Sequence, residues 1–217
     1  MPPFRISPSL ASVSLTKLPE SLAELEAAGV DFLHFDIEDG VFVPVMTLGT
    51  KIIADLRPLT DLPFDVHLMV KDPDWLIPEV VDAGADRVAV HYEACPYPRR
   101  ILRQISELGA APGLAFNPAT PLPDLEYLAP YLSFLIILTT EPEGPDCPFL
   151  PDVLEKLQAK ASSPYLGSLE WVVDGGVNPG NIKEVLDAGA DTVVVGRAAF
   201  QGGMILQNIS DLKAAQR

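Results

Sequence analysis

The chain has 217 residues, with 30 Asp and Glu against 15 Lys and Arg for a formal net charge of −15. That length suits one α/β barrel domain, and 48% hydrophobic with 21% charged residues excludes a disordered chain. A strongly acidic surface repels phosphate backbones and anionic headgroups, so neither nucleic acid nor membrane is expected as a partner.

No apolar run approaches the ~18–20 residues of a membrane span, and the start Met1-Pro2-Pro3-Phe4-Arg5 lacks the core of a signal peptide. Cys95 and Cys147 are too few for a disulfide framework and point to free thiols in a reducing compartment. A cytoplasmic protein with one domain over residues 1–217 is expected.

The first strand is expected near Arg5–Ser9. A helical pattern over Leu22–Ala28 then ends in Ala28-Gly29-Val30-Asp31, and strands follow near Phe32–Ile37 and Phe64–Met69. The same ending recurs as Ala83-Gly84-Ala85-Asp86 after Ile77–Ala83 and as Ala188-Gly189-Ala190-Asp191 after Ile182–Ala188, with Leu108-Gly109-Ala110 a weaker echo. Each glycine reads as a helix C-terminal cap before a short buried strand. The remaining strands are expected near Arg87–His91, Ala111–Phe116, Phe134–Leu138, Glu170–Val173 and Thr192–Val195. Eight alternating βα units predict a (β/α)₈ TIM barrel. An open doubly wound sheet would show Gly-x-Gly-x-x-Gly after its first strand, where Ser7-Pro8-Ser9-Leu10 stands instead.

The three histidines, His34, His67 and His91, fall on the second, third and fourth strands, toward the C-terminal edge where such barrels keep their active sites. His34 and Asp36 are two residues apart and leave one face of their strand. With His67 and with Asp174, which ends the seventh strand, they make a two-His, two-Asp set suited to a divalent ion such as Zn²⁺, Fe²⁺ or Mn²⁺. Two carboxylates beside such an ion suit proton transfer at a carbon next to a carbonyl: one Asp removes the proton and the other returns one from the opposite face. Spacing alone equally allows isomerisation, aldol cleavage or metal-assisted hydrolysis. Trp75 and Trp171 are expected to be packing aromatics, and Asp39 to anchor the turn at Gly40. Lys51, Lys71 and Arg87 are expected to be solvated.

Ile6-Ser7-Pro8-Ser9-Leu10, the run from His34-Phe35-Asp36 to Phe42-Val43-Pro44, and Asp65-Val66-His67-Leu68-Met69 resemble the ribulose-phosphate 3-epimerase family. So do His91-Tyr92-Glu93-Ala94, Asn117-Pro118-Ala119-Thr120-Pro121 and Val173-Asp174-Gly175-Gly176-Val177-Asn178. The resemblance runs in order from Ile6 to Phe200. It implies a (β/α)₈ barrel that interconverts D-ribulose 5-phosphate and D-xylulose 5-phosphate, and a homo-oligomer. It also implies metal ligation by His34, Asp36, His67 and Asp174, with Asp36 and Asp174 as acid and base. Ser9 and His67 would then contact the phosphorylated ketose, and Met69 would pack near the enediolate. Barrels that decarboxylate orotidine phosphate or make hexulose phosphates carry an Asp-x-Lys-x-x-Asp run that this sequence lacks.

Three positions depart from the family pattern. Glu38 stands where the family has Met; period-2 alternation puts it on the face of Asp36, from which it could turn into the site or away. After the sixth strand, the glycine-rich phosphate loop is replaced by a run from Leu138 to Pro151 that keeps Gly144 but adds Glu143, Asp146 and four prolines. Beyond the eighth strand, Gly196-Arg197 stands near Gly175 and Gly176, where these barrels hold phosphate, and Arg197 could supply a bidentate contact. These changes leave open another ketose phosphate, such as allulose 6-phosphate or a tetrulose phosphate, and a non-catalytic paralogue that binds a metabolite.

Overall fold

The computed structural model describes residues 4–142 and 147–216. Eight parallel strands run as β1 (Arg5–Pro8), β2 (Leu33–Glu38), β3 (Phe64–Met69), β4 (Arg87–His91), β5 (Ala111–Phe116), β6 (Phe134–Leu138), β7 (Glu170–Asp174) and β8 (Thr192–Val195). Each pairs with its sequence neighbour from β2 through β8, and β8 pairs with β1. The β1–β2 seam is joined by a single bridge between Ser9 and His34 and by the Asp31 and Phe32 amides donating to the Ile6 carbonyl. The architecture is a (β/α)₈ barrel.

Around it lie α1 (Leu18–Ala27), α2 (Lys51–Leu56), α3 (Leu76–Asp82), α4 (Pro98–Glu107), α5 (Pro164–Ser168), α6 (Ile182–Asp187), α7 (Arg197–Phe200) and α8 (Ile205–Ala214). Short 3₁₀ turns stand between β5 and β6, and a longer 3₁₀ segment, Pro151–Ala161, leads to α5. No described helix is long and apolar enough to cross a membrane.

The repeated Ala-Gly-x-Asp ending has a physical cause at each of its residues. Gly29, Gly84 and Gly189 have φ of 64°, 116° and 112°, a region costly for other residues. Their turn lets the next amide return to the helix, as in Val30 to Leu25, Ala85 to Val80 and Ala190 to Val185. The aspartate then accepts an amide at the start of the neighbouring strand: Asp31 from Ile6 at 2.9 Å, Asp86 from Phe64 at 2.7 Å and Asp191 from Trp171 at 2.8 Å. One tetrapeptide therefore both ends a helix and ties the next strand to its neighbour.

Strand alternation sorts the buried residues into two layers. Phe35, Phe64, Val66, Val90, Leu114, Ile137, Trp171 and Val195 face the helices in the larger core. Met69, Ala89, Ala115, Phe134, Ile136, Leu138, Val172 and Val194 fill the barrel, with Val43 of the β2–α2 loop closing over them. Apart from Gly113, whose missing side chain makes room for Phe134, most other inward positions are polar, and those at the mouth of the barrel build the site.

Two expectations about single residues are corrected. Arg87 is not solvated: it is 5% exposed and points into the barrel. Its guanidinium bonds Asp65 at 2.9 Å and both Glu170 oxygens at 3.0 Å, with the Phe134 ring 3.8 Å away. A charge at the first residue of a strand reads as solvent-facing, but the alternation that sends Val88 and Val90 to the helices sends Arg87 inward. Trp75 is not a packing residue: it is 66% exposed at the N-terminus of α3, whose buried face is Leu76, Ile77 and Val80. Trp171 is fully buried, and Lys51 and Lys71 are exposed.

Candidate metal centre and active site

His34, Asp36, His67 and Asp174 meet at the mouth of the barrel, each offering one ligand atom within 4.8 Å of the others. His34 is the second residue of β2 rather than near its end. The barrel's stagger sets it opposite Ser9, beyond the end of β1, and thereby brings it to the mouth. In register, Asp36 lies beside His67. Asp174 closes β7, where its carbonyl accepts the Thr139 amide at 2.7 Å. The Thr139 hydroxyl donates to the carbonyls of Asp174 and Gly175 at 3.1 and 2.7 Å, fixing this strand end.

Both carboxylates approach both imidazoles. His34 Nε2 lies 3.1 Å from Asp36 Oδ1 and 3.7 Å from Asp174 Oδ2, while His67 Nδ1 lies 3.6 and 3.5 Å from the same two oxygens. Ligands held at ~2.0–2.2 Å around one tetrahedral centre stand about 3.3–3.6 Å apart, so this spacing fits a cation such as Zn²⁺. His67 Nδ1 is buried without a hydrogen-bond partner, as a nitrogen reserved for a metal would be. The donor set of two nitrogens and two oxygens also suits Fe²⁺ or Mn²⁺.

The electrostatics follow from burial beside opposite charges. Burial alone would push the His34 imidazole down, but the Asp36 and Asp65 carboxylates outweigh it and hold its pKa well above 6.5. His67 is raised in the same way, against its burial, by Asp174 and Asp36. Asp36 is lowered despite its burial by the charge and hydrogen bond of His34. Asp65, behind His34, accepts from its Nδ1 at 2.8 Å. Burial would raise Asp65, but the Arg87 charge and then His34 bring it to about 2. A line of charges thus runs from the half-buried Glu170 through the buried Arg87 and Asp65 to His34.

His91, at the end of β4, stacks on His67 with ring centroids 4.9 Å apart and is not among the four clustered ligands. Burial, and the neighbouring His67, push it down to about 4 against the opposing pull of Glu93. Asp39 anchors its turn as expected, accepting the Val41 and Phe42 amides at 2.8 Å. Its other oxygen accepts the Lys71 amide, also at 2.8 Å, which ties the β2–α2 and β3–α3 loops together.

Asp36 and Asp174 open onto a cleft of about 740 Å³ that is also lined by Ser9, Gly175, Gly176, Gly196 and Arg197. Ser9 donates to Asp36 Oδ2 at 2.5 Å. A side chain at Gly175 would run into Thr140, one at Gly176 into Phe149 and one at Gly196 into the Ser12 hydroxyl. His67 and Met69 do not line the cleft; Met69 lies within the barrel core. Glu38 is on the Asp36 face, but its Oε2 accepts the Thr47 amide at 2.6 Å and the Thr47 hydroxyl at 2.8 Å, outside the ligand cluster. Burial raises its pKa while the Thr47 bonds oppose. Gly144, with Glu143 and Asp146, lies outside the described residues. A second cavity, of about 710 Å³, opens at the far end of the barrel, but its charged groups pair internally as Arg5–Glu170 and Lys160–Asp191.

Comparison with known proteins gives the same outline. The chain is 38% identical to the ribulose-phosphate 3-epimerase of Synechocystis over 98% of this chain and 94% of that one. It is 35% identical to that of Bacillus subtilis, covering 98% of this chain and all of the other. Among solved structures, orotidine 5′-phosphate decarboxylase from Pyrococcus horikoshii superposes with a TM-score of 0.67 at 17% identity, over 98% of this chain and 99% of that one. The tryptophan synthase alpha subunit from Legionella pneumophila superposes with a TM-score of 0.64 at 18% identity, over 98% and 92%. These two likenesses show the barrel fold alone. The model of the ribulose-phosphate 3 epimerase family matches residues 5–200. The chain belongs to that family and is an isomerase of the kind that epimerises carbohydrates.

Proposed function

We propose that the chain interconverts D-ribulose 5-phosphate and D-xylulose 5-phosphate, with Asp36 and Asp174 as the acid/base pair. The observation that carries this reading is the approach of both carboxylates to the same two imidazole nitrogens at the floor of one cleft, in a chain of this family. His34, Asp36, His67 and Asp174 would hold a divalent cation. When bound, the cation supplies positive charge that stabilises the oxygens of the enediolate.

The residues of the chain do the rest. Asp36, its Oδ2 fixed by the Ser9 hydroxyl, and Asp174, at the rigid end of β7, each reach the cleft. One carboxylate removes the proton at C3, next to the C2 carbonyl, and the other protonates the opposite face of the planar intermediate, which inverts C3. Roles exchange in the reverse direction. Gly175, Gly176 and Gly196 keep side chains out of the end of the cleft where Arg197 stands, and there the phosphate would lie. Two free cysteines suit a reducing compartment such as the cytoplasm.

The test is formation of xylulose 5-phosphate from ribulose 5-phosphate by the metal-loaded protein and by Asp36→Asn and Asp174→Asn. Turnover in the wild type with none in either variant supports the assignment; wild-type turnover in either variant removes that residue from the pair. A second reading, another ketose phosphate, is favoured by the packing of Phe149 against Gly176, where the family has a glycine-rich loop. A panel including allulose 6-phosphate and a tetrulose phosphate separates the two. A wild type inactive on the whole panel would mark a metabolite-binding paralogue.

A further inference from the structure

His67 and His34 are held in different ways. The Nδ1–H of His34 is taken by Asp65, which leaves its Nε2 facing the cluster. His67 faces the cluster with the other nitrogen, Nδ1, and has no carboxylate behind it. Its Nε2 instead lies 3.0 Å from Nε2 of His91. The two rings are nearly parallel, at 18°, and Phe42 packs on His91 with centroids 4.6 Å apart.

Two ring nitrogens at this distance share one proton, and the surroundings decide which ring carries it. Nδ1 of His91 lies 3.1 Å from Glu93 Oε2. An ionised carboxylate only accepts, so His91 Nδ1 carries the hydrogen and a neutral His91 presents a bare Nε2. His67 Nε2 is then the donor, and the lone pair of its Nδ1 points into the cluster. The opposite arrangement would put a hydrogen on His67 Nδ1, which makes no hydrogen bond although the Asp174 and Asp36 oxygens stand 3.5 and 3.6 Å away, and would turn the lone pair away from the cluster. Glu93 is itself fixed, since its Oε1 accepts the Asn117 amide at 2.9 Å just beyond the end of β5.

We infer that His91 and Glu93 are positioning residues: through the chain Glu93–His91–His67 they select the His67 tautomer that can ligate a divalent cation through Nδ1. The inference rests on the reading of the four side chains as a cation site and adds two residues that act through one of them. Ligand histidines commonly have such a partner, but here a second imidazole is interposed between ligand and carboxylate.

The test uses the full-length protein loaded with Zn²⁺ or Co²⁺. His91→Phe retains an aromatic ring but removes the acceptor, and His91→Gln restores an acceptor through its amide oxygen. Affinity measured by competition with a chelator should fall about 10–100-fold in His91→Phe and recover in part in His91→Gln, with the Co²⁺ absorption spectrum perturbed only in the former. Melting of the metal-free variants reports folding separately. A folded His91→Phe that binds Zn²⁺ as tightly as the wild type overturns the inference. Long-range ¹H–¹⁵N spectra of the zinc-loaded wild type give an answer that needs no variant: His67 should be protonated at Nε2 and His91 at Nδ1, and a hydrogen on His91 Nε2 overturns the inference. A wild type that binds neither cation would instead remove the site reading itself.

Discussion

Arg87→Met cuts the line of buried charge at its centre. The guanidinium is 5% exposed, bonds Asp65 at 2.9 Å and Glu170 at 3.0 Å, and lies 3.8 and 4.5 Å from the ring centroids of Phe134 and Phe32. Met occupies similar space, so the loss is mainly electrostatic. Glu170 keeps Arg5 at 3.0 Å and the Thr192 hydroxyl at 2.6 Å, whereas the fully buried Asp65 side chain keeps, among the described residues, His34 and Ser7. Removing one partner of a buried ion pair costs about 3–5 kcal/mol, because the other charge stays buried. For a chain of this size each kcal/mol lowers Tm by about 2–4 °C, so a fall of about 6–20 °C is expected for the metal-free protein. Calorimetry with chelator present measures it. Asp65→Asn in the same chain removes the stranded charge, while its amide oxygen still accepts from His34 Nδ1, so the double variant should be more stable than Arg87→Met alone. A single variant melting within about 2 °C of the wild type, or a double variant no better than the single, would mean that Arg87 does not compensate the buried Asp65 charge.

Other predictions concern separate parts of the molecule. In the metal-free protein the raised pKa of His34 contributes stability that is fully present below pH ~6.5 and is lost as pH rises through its higher folded-state value. Melting of chelated protein should therefore fall from pH 6 toward pH 9, while stabilisation by added Zn²⁺ grows because the ligands bind deprotonated; a metal-free Tm that rises over this range contradicts the His34 assignment. Gly113→Ala drives a Cβ into the Phe134 ring, an overpacking expected to cost about 1–3 kcal/mol in urea unfolding. Glu38→Gln should leave Zn²⁺ affinity unchanged in chelator competition, because Glu38 bonds Thr47 and stands outside the ligand cluster; a clear loss of affinity would mean that its carboxylate reaches the cation.

The barrel was legible because its signals are local. Each strand is a short apolar run, and each Ala-Gly-x-Asp marks a helix end; the structure moves a strand boundary by no more than one residue. The four clustered side chains were legible from strand alternation and from the resemblance together. What the sequence hid is pairing across the barrel. Arg87 and Glu170 are 83 residues apart and His34 and Asp65 are 31 apart, and no local pattern links them. The link between His67 and His91 likewise depends on the β3–β4 register, which sets His67 beside Ala89 and leaves His91 free to lean across. Glu38 shared the alternation of Asp36, yet its fate was set by Thr47, nine residues away in a loop with no periodicity.

Solvent exchange at C3 reports most directly on proton transfer by Asp36 and Asp174. Ribulose 5-phosphate would be incubated in D₂O with the Zn²⁺-loaded protein and followed by NMR, in parallel with Asp36→Asn and Asp174→Asn. Deuterium at C3 together with the appearance of xylulose 5-phosphate is expected in the wild type, and neither in the variants. Metal-loaded wild type that leaves the C3 proton in place would contradict the claim that these two aspartates move it.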